Sequence, residues 1–387
     1  MRLTLTRNDF TDATAWVARL IGAKPPHPTL GGILIKAYAM PNLIQFSAYD
    51  LETSAQVDLT EPLDLSVDDV SAQVLVSGRL LAQIARVLPK KGDVVLETSP
   101  SSMTLTCGKA EFTLPTMIDG DYPMLPLLPD DAGRVDAARL SEAISQVLPA
   151  IGRDEAVPQV TSVCIEVTSP SLLTLFCTDK NRVAIREVPW CGGEHLPRTR
   201  LLVPAKAVAE IARYTAGDVF LGVSGDKTGI LGIHSNGHRT TTRLIDEKFP
   251  DCRKIIPPAE GIKTTVRLTT ADLVESLTRA MLLDDQEYPR IKFSFSSDRV
   301  IVSGGQAEVG GFVEELDCDL LGEPVTFSVN TRYLLDALSA LRTEQAVLRI
   351  TDPHKPILVL PYEAAEADPN SPKEEHLHLI MPVAELA

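Results

Sequence analysis

Apolar residues recur at helical spacing in six stretches of the chain, and three of those stretches are copies of one another. Leu81, Ile84, Ala85 and Leu88 follow the i, i+3, i+4, i+7 rule of an amphipathic helix. Val208, Ile211, Ala212 and Thr215 hold the same places 127 residues later, and Leu334, Ala337, Leu338 and Leu341 hold them 126 residues after that. Each copy reads as a strand end, a cap, a helix, a break and a strand. The three strings are VSGRLLAQIARVLPKKGDVVLE from Val76, VPAKAVAEIARYTAGDVFLG from Val203 and VNTRYLLDALSALRTEQAVLRI from Val329. Ser77 and Asn330 are placed as N-caps, and Pro204 suits a first turn. A period of this length means three similar domains.

A second helix precedes each of these. Phe10, Ala13, Thr14, Val17 and Ile21 are spaced like Leu140, Ala143, Ile144, Val147 and Ile151, and Leu273, Leu277 and Ala280 echo them. Asp9 or Asn8 and Thr270 are the expected caps. Between the helices the pattern shifts to period two or to short apolar runs such as GGILIKAYA, SMTLTCGKAEFTL and RIKFSFSS, punctuated by Gly, Asn, Asp and Ser. That is the mark of antiparallel meanders. The expected fold class is α+β, with three similar domains over residues 1–128, 133–257 and 262–387, each carrying two helices against antiparallel sheets. Proline-containing linkers fall where the period puts them, at 123–134 and 255–263, and an acidic loop at 364–375 precedes the last strand.

Composition narrows this picture. Of 387 residues, 44% are hydrophobic and 23% charged, which is ordinary for a globular chain. There is no run of eighteen apolar residues, and the opening MRLTLTRNDF lacks the apolar core of a secretory leader. The expectation is a cytoplasmic, nucleoid-associated protein with no membrane partner. Six cysteines show neither CxxC pairs nor zinc spacing, so they are expected to be reduced and mostly buried.

The net charge of −15 argues against a nucleic-acid binder until the basic residues are located. Arg79, Lys206 and Arg332 occupy one equivalent position in the three copies, and Arg86 matches Arg213. Arg7, Arg19 and Lys24 flank the first helix, Arg139 and Arg153 its second-domain counterpart, and Arg279 lies in the third. An inward apolar stripe puts these residues on outward faces. Such a face is ordinarily just solvated, but its recurrence suits contact with phosphates without base readout.

In order and in this three-domain frame, the strings HPTLGGILI, YDLE, CTDKNRVAIRE, EKFPDCRKIIP, FSVNTRYLLDAL and IMPV resemble the bacterial DNA polymerase sliding clamp, the β subunit of DNA polymerase III. The resemblance runs the length of the chain. It implies a head-to-tail homodimer closed into a ring around double-stranded DNA, with helices lining the hole. It implies a processivity factor rather than an enzyme, without cofactor or metal. The implied clients are the replicative polymerase, the clamp loader, repair polymerases and ligase-type proteins, which dock short peptides in one pocket.

The resemblance places that pocket at Thr178, Lys180, Asn181, Arg182 and Val183, with Val160, Pro250 and Ile255. Tyr288, Asn330 and Tyr333 approach from the third domain, and Leu379, Met381, Pro382 and Val383 close it. A cyclic-peptide inhibitor is a further implied pocket ligand. DNA-facing residues are expected at Lys24, Arg79, Arg86, Lys206, Arg213, Arg279 and Arg332. The subunit interface is expected to use Ile84, Leu88 and Phe112 against Leu282 and Leu283, although Ile84 and Leu88 also read simply as core.

The chain departs from the family where Lys180-Asn181 precede Arg182, where a Gly-His or Arg-Phe pair is commoner, and after Met381-Pro382, where Ala384 and Glu385 replace a basic end. An alternative follows, a divergent second clamp conferring resistance to a pocket-binding antibiotic. Two rivals come from other classes. A nuclease would need clustered carboxylates, and the pairs Asp130-Asp131 and Asp284-Asp285 are expected in loops without a histidine partner. A protein-binding scaffold would share the fold without holding DNA.

Overall fold

The computed structural model describes residues 1–67, 70–193, 199–225, 229–284, 289–306, 310–362 and 376–383. Six α-helices are present among them: α1 (Arg7–Ala18), α2 (Gly78–Val87), α3 (Ala137–Val147), α4 (Ala205–Ile211), α5 (Thr270–Ala280) and α6 (Thr331–Leu341). These are the six the apolar periodicity predicts. The inward stripes are Phe10, Ala13, Thr14 and Val17 on α1, Leu81, Ile84 and Ala85 on α2, and Leu334, Ala337, Leu338 and Leu341 on α6.

Three local expectations change. Thr6, not Asp9 or Asn8, caps α1 by accepting from the Asp9 amide at 3.1 Å, while its hydroxyl donates back to the Asp9 carboxylate at 2.7 Å. Asp9 is thus the partner three residues on, accepting from the cap's hydroxyl with its carboxylate while its amide donates to the same oxygen. Thr270 is the first residue of α5, with Thr269 at the cap position. The third change is at α4, which stops at Ile211, so Thr215 leaves the stripe and is exposed. The chain turns there, Tyr214 is buried instead, and the Ser141 hydroxyl of α3 donates to the Ala212 carbonyl at 2.6 Å. That bond satisfies a carbonyl the short helix leaves open.

The chain divides into two compact units. One holds Met1–Gly133 and Gly217–Arg243, and the other holds Arg134–Ala216 and Leu244–Ala387. In the first, one antiparallel sheet runs through Asp218–Val223, Ile230–Ser235, His238–Arg243, Thr53–Leu59, Leu43–Tyr49, Gly32–Tyr38, Ser71–Ser77, Ala110–Met117, Ser102–Cys107, Val94–Thr98, Arg2–Leu5 and Asp64–Ser66. The join between repeats is the pairing of His238↔Val57 through Thr242↔Thr53, reinforced by hydroxyl contacts Thr53–Thr242 at 3.1 Å and Ser54–Thr241 at 2.6 Å. Helices α1 and α2 pack side by side over this sheet's apolar face, with Phe10 edge-on to Phe46 at 6.0 Å.

In the second unit a nine-stranded sheet runs through Arg200–Pro204, Ser162–Ser169, Leu172–Thr178, Arg182–Pro189, His376–Ile380, Ile357–Pro361, Gln345–Ile350, Thr264–Thr269 and Asp319–Gly322. The last strand of the chain is its seam. Val183 pairs with Leu379 on one side, and Leu379 pairs with Leu358 on the other. A four-stranded sheet, Gly310–Asp317, Arg299–Gln306, Arg290–Phe295 and Val325–Asn330, completes the unit, with Phe293, Phe295 and Phe327 stacked on its inner face. Among the described residues no helix is long and apolar enough to cross a membrane.

Candidate peptide pocket and basic helix faces

A cavity of about 390 Å³ opens in the second unit, lined by Ile151, Gly152, Arg153, Asp154, Val160, Asp179, Lys180, Asn181, Arg182, Asn330, Arg332, Tyr333 and Asp336. The turn from Thr178 to Arg182 forms one wall. Its shape is held by side chains bonding to main chain: the Thr178 hydroxyl donates to the Arg182 carbonyl at 2.8 Å, and Asp179 accepts from the Asn181 and Arg182 amides, both at 3.0 Å. The α6 N-terminus forms the opposite wall. Asn330 caps it by accepting from the Arg332 and Tyr333 amides at 2.9 and 3.3 Å.

Arg182 joins the walls. It donates to Asp179 at 2.9 Å and to Asp336 of α6 at 2.6 Å, and its guanidinium lies 4.3 Å from the Tyr333 ring centroid. Two carboxylates and a π face fix the planar fork, so the cavity presents a preformed edge rather than a mobile cation. Ile151 and Val160 are the aliphatic residues of a lining that is otherwise mostly polar, and Val160 is buried against Gly152. A side chain at residue 152 would meet the Val160 methyl at 2.7 Å, which explains that glycine.

Of the expected pocket residues, the cavity brings together Val160, Lys180, Asn181, Arg182, Asn330 and Tyr333. Thr178, Val183 and Leu379 are buried and do not line it, Val183 and Leu379 being strand partners. Met381 is partly exposed, and its amide donates to the Asn181 carbonyl at 2.9 Å, while the Val383 amide donates to Ser328 at 2.8 Å. Pro250 lies outside the lining, beside Glu166, Phe176 and Arg253, and Ile255 ends an exposed turn. Tyr288 and the loop at 364–375 lie outside the described residues. Sequence reasoning missed Asp154, Asp179 and Asp336 as lining residues. The spacing of Asp336 from Arg332 and Tyr333, one helical turn on α6, was the available signal.

The basic positions differ in state. Arg79, Lys206 and Arg332 are each the second residue of a helix, and all three are exposed. Arg332, however, lines the cavity. Arg19, Arg79 and Arg86 surround a groove of about 280 Å³ between α1 and α2, floored by Ala15, Ala18 and Ala82. Arg79 donates to the Gly22 carbonyl at 3.2 Å, and Lys24 is exposed on the loop after α1. Arg213 is tied to Glu210 at 3.1 Å, and Arg279 is held by both Glu275 at 3.3 Å and Glu314 at 2.7 Å. These basic residues therefore carry unequal available charge.

Ile84 and Leu88 are buried in the first unit's core, so they have little surface to offer a partner. Phe112 is half-buried on the Ala110–Met117 strand, which pairs with Ser102–Cys107 through Ala110–Pro115 and with Ser71–Ser77 at Thr116 and Met117. Glu111 to Leu114 thus have a ladder partner on one side among the described residues. The Gly310–Asp317 strand is likewise an edge, with Val313 75% exposed, and Leu282 nearby in sequence to the same sheet is 80% exposed.

Asp131 does have a histidine partner: His234 Nε2 lies 2.8 Å from its carboxylate, and the imidazole stacks on Phe220 at 5.0 Å. Strand pairing brings together residues 103 apart, which sequence proximity could not show. Asp284 is buried and accepts from the Arg290 amide at 3.0 Å, a structural bond. Among the described residues no three His, Cys, Asp or Glu side chains converge as a metal site. Five of the six thiols are buried and Cys191 is exposed. Burial pushes Cys164 up to about 12 and Cys252 up to about 11, which keeps both as inert thiols.

Profiles of the DNA polymerase III beta subunit match the chain three times: the N-terminal domain at residues 1–126, the central domain at 134–251 and the C-terminal domain at 253–373. The chain is 35% identical to the beta sliding clamp of Streptomyces coelicolor over 99% of both proteins. It is 27% identical to the beta sliding clamp homolog GriR of Streptomyces muensis over 99% of both. A Pseudomonas aeruginosa sliding clamp, solved bound to griselimycin, superposes with a TM-score of 0.86 at 20% identity over the whole of both chains.

Proposed function

Because the chain belongs to the DNA polymerase III beta subunit family, the beta sliding clamps, we propose that it works as a head-to-tail homodimeric ring that encircles duplex DNA and tethers clients through the cavity beside Arg182. The protein is a sliding clamp, a non-catalytic processivity factor of DNA replication that binds DNA and polymerase. Domain limits of 1–128, 133–257 and 262–387 follow the sequence period.

The observation that carries the client reading is the cavity itself. Ile151, Val160 and the Tyr333 ring beside a locked guanidinium and a polar rim suit an extended peptide that combines apolar side chains with polar anchors. Met381 adds an adaptable thioether at the end of the seam strand. We assign the polymerase, clamp loader, repair polymerases and ligase-type proteins as clients on this basis, and place their work in the cytoplasm.

Ring closure is supported by the two open strand edges. Glu111–Leu114 of one protomer and Gly310–Asp317 of its partner would extend each other's sheets, and a head-to-tail contact that closes after two copies leaves neither of these two edges open. Topology then removes the need for tight DNA contacts, which reconciles a net charge of −15 with DNA as a partner.

The test is topological. Loaded on nicked circular DNA, the clamp should remain through gel filtration at moderate salt and should be lost once that DNA is linearised. Equal release from circle and line would favour a scaffold that binds proteins without encircling DNA. A second reading, a divergent clamp resistant to a pocket-binding antibiotic, is favoured by Lys180 at the cavity rim, where the family commonly carries other residues.

A further inference from the structure

The third repeat carries a groove that shares no residue with the cavity beside Arg182. Val266 and Leu268 of the Thr264–Thr269 strand belong to the core, so the alternating Thr265 and Arg267 stand on the opposite face of the sheet. Strand register sets them in two rows. Leu321, Thr265 and Arg349 form one row, and Asp319, Arg267 and Val347 form the other. With Tyr362 these residues line a space of about 300 Å³. Arg267 is held in place: it donates to Asp319 and to the Tyr362 hydroxyl, both at 2.9 Å, and its guanidinium lies 5.0 Å from the Tyr362 ring centroid. Val347 is buried, while Leu321 is 77% exposed. Two guanidinium groups against one carboxylate give the lining a positive balance on a chain of net charge −15.

The first repeat shows which of these residues the scaffold needs. Arg2 precedes the α1 cap by four residues, as Thr265 precedes the α5 cap, and the rows there are Ser66, Arg2, Glu97 and Asp64, Thr4, Val95. Arg2 pairs with Glu97 at 3.3 Å across that row. The same strands thus form with a serine and a glutamate where the third repeat carries an exposed leucine and an arginine.

We propose that this groove is a second docking site, for a short extended peptide in which an aspartate or glutamate lies two or three residues from a leucine. The positive lining selects the acidic group, and Arg349 with Thr265 supplies donors for it. Leu321 and Val347 take the aliphatic side chain. Neighbouring strands lie about 4.8 Å apart, so the Leu321 and Arg349 positions are about 10 Å apart, which two to three extended residues cover at about 3.3 Å each. Arg267 walls the groove, held by a carboxylate and a tyrosine as Arg182 is. The site does not depend on the reading of the Arg182 cavity.

The test uses a labelled hexapeptide, blocked at both ends, with one aspartate two residues before a leucine and otherwise glycine and serine. Binding to the full-length protein is measured by fluorescence anisotropy. Leu321→Ser and Arg349→Glu install the residues of the first repeat. Each should weaken binding about tenfold, and asparagine in place of the peptide's aspartate should weaken binding to wild type by a similar factor. Unchanged thermal unfolding checks that both variants are folded, and the peptide substitution tests the charge without altering the protein. No binding to wild type at millimolar peptide overturns the proposal, as does equal binding of the aspartate and asparagine peptides, or a loss with Leu321→Ser that Arg349→Glu does not share. Competition by an unlabelled peptide of two leucines and a phenylalanine would place the hexapeptide in the Arg182 cavity and also overturn it. A lower particle mass for Leu321→Ser by light scattering would mean that a second copy covers the groove, and the peptide assignment would fall.

Discussion

The Met381 amide donates to the Asn181 carbonyl at 2.9 Å, joining the end of the chain's last strand to the turn that carries Lys180 and Arg182. This bond continues the Arg182–Pro189 and His376–Ile380 ladder one step past Ile380. The pocket wall and the C-terminal segment are therefore one hydrogen-bonded piece, and a change at either should be felt at the other. Deleting Met381–Ala387 should abolish binding of a linear client peptide in an anisotropy titration while lowering the unfolding midpoint only slightly. Arg182→Ala should weaken the same peptide at least about tenfold and destabilise the unit by roughly 1–3 kcal/mol, because Asp179 keeps a largely buried charge without its partner.

DNA contact should be unequal among the basic residues expected to face DNA. Arg86 stands in the arginine-lined groove between α1 and α2, whereas Arg279 is neutralised by Glu275 and Glu314. Arg86→Ala should reduce the slope of log K against log salt by about 0.9 for each phosphate it no longer neutralises, measured with short duplex DNA. Arg279→Ala should leave the slope unchanged. Equal effects would mean that the Glu314 pair opens on DNA.

The two strand edges make the assembly state a sharp prediction. Phe112→Asp or Val313→Asp puts a charge on one of the two open strand edges of the proposed ring contact, at a half-buried or exposed apolar position. Each should convert a particle of twice the 42.0 kDa chain mass into monomer by light scattering, with helical content retained. Ile84→Ala should instead lower thermal stability, by about 2–5 kcal/mol, because Ile84 is core.

Acid should loosen the seam strand. The His376 and His378 rings lie 5.5 Å apart on it, and neither Nε2 has a hydrogen-bond partner among the described residues. Burial, with Arg186 near His376, lowers His376 to about 4, and burial, with His376 and Arg182 nearby, lowers His378 to about 3. Both are depressed below the unfolded value of about 6.5, so the unfolded chain binds more protons below that pH. Their stability contribution is complete above pH 6.5 and is lost as pH falls toward 4 and then 3. His376 alone accounts for about 3 kcal/mol of that loss. Urea unfolding across this range should show the fall, and His378→Leu should flatten it.

Much of this was legible in the residues. The six helices lie where the apolar stripes put them, because a helix must bury a 3.6-period face whatever it packs against. Asn330 is recognisable as a cap because its short amide reaches the next turn's amides from its own place in sequence. The end of α4 was not legible, since Tyr214 displaces Thr215 from the core only once the neighbouring α3 is in place. Local chemistry is written locally, and competition between neighbours is not.

The sequence by itself determined the threefold repeat, the helix faces, the α+β class and the resemblance to sliding clamps, because each rests on periodicity or on short strings. Tertiary structure alone decided which residues meet. It placed Asp336 and Asp154 in the cavity, gave Asp131 its histidine, drew Arg279's charge into Glu314, and moved Pro250 out of the pocket lining. All four are contacts across strand registers or between elements far apart in the chain. Charge and shape at a site depend on distances through space, and a single sequence records only distances along the backbone.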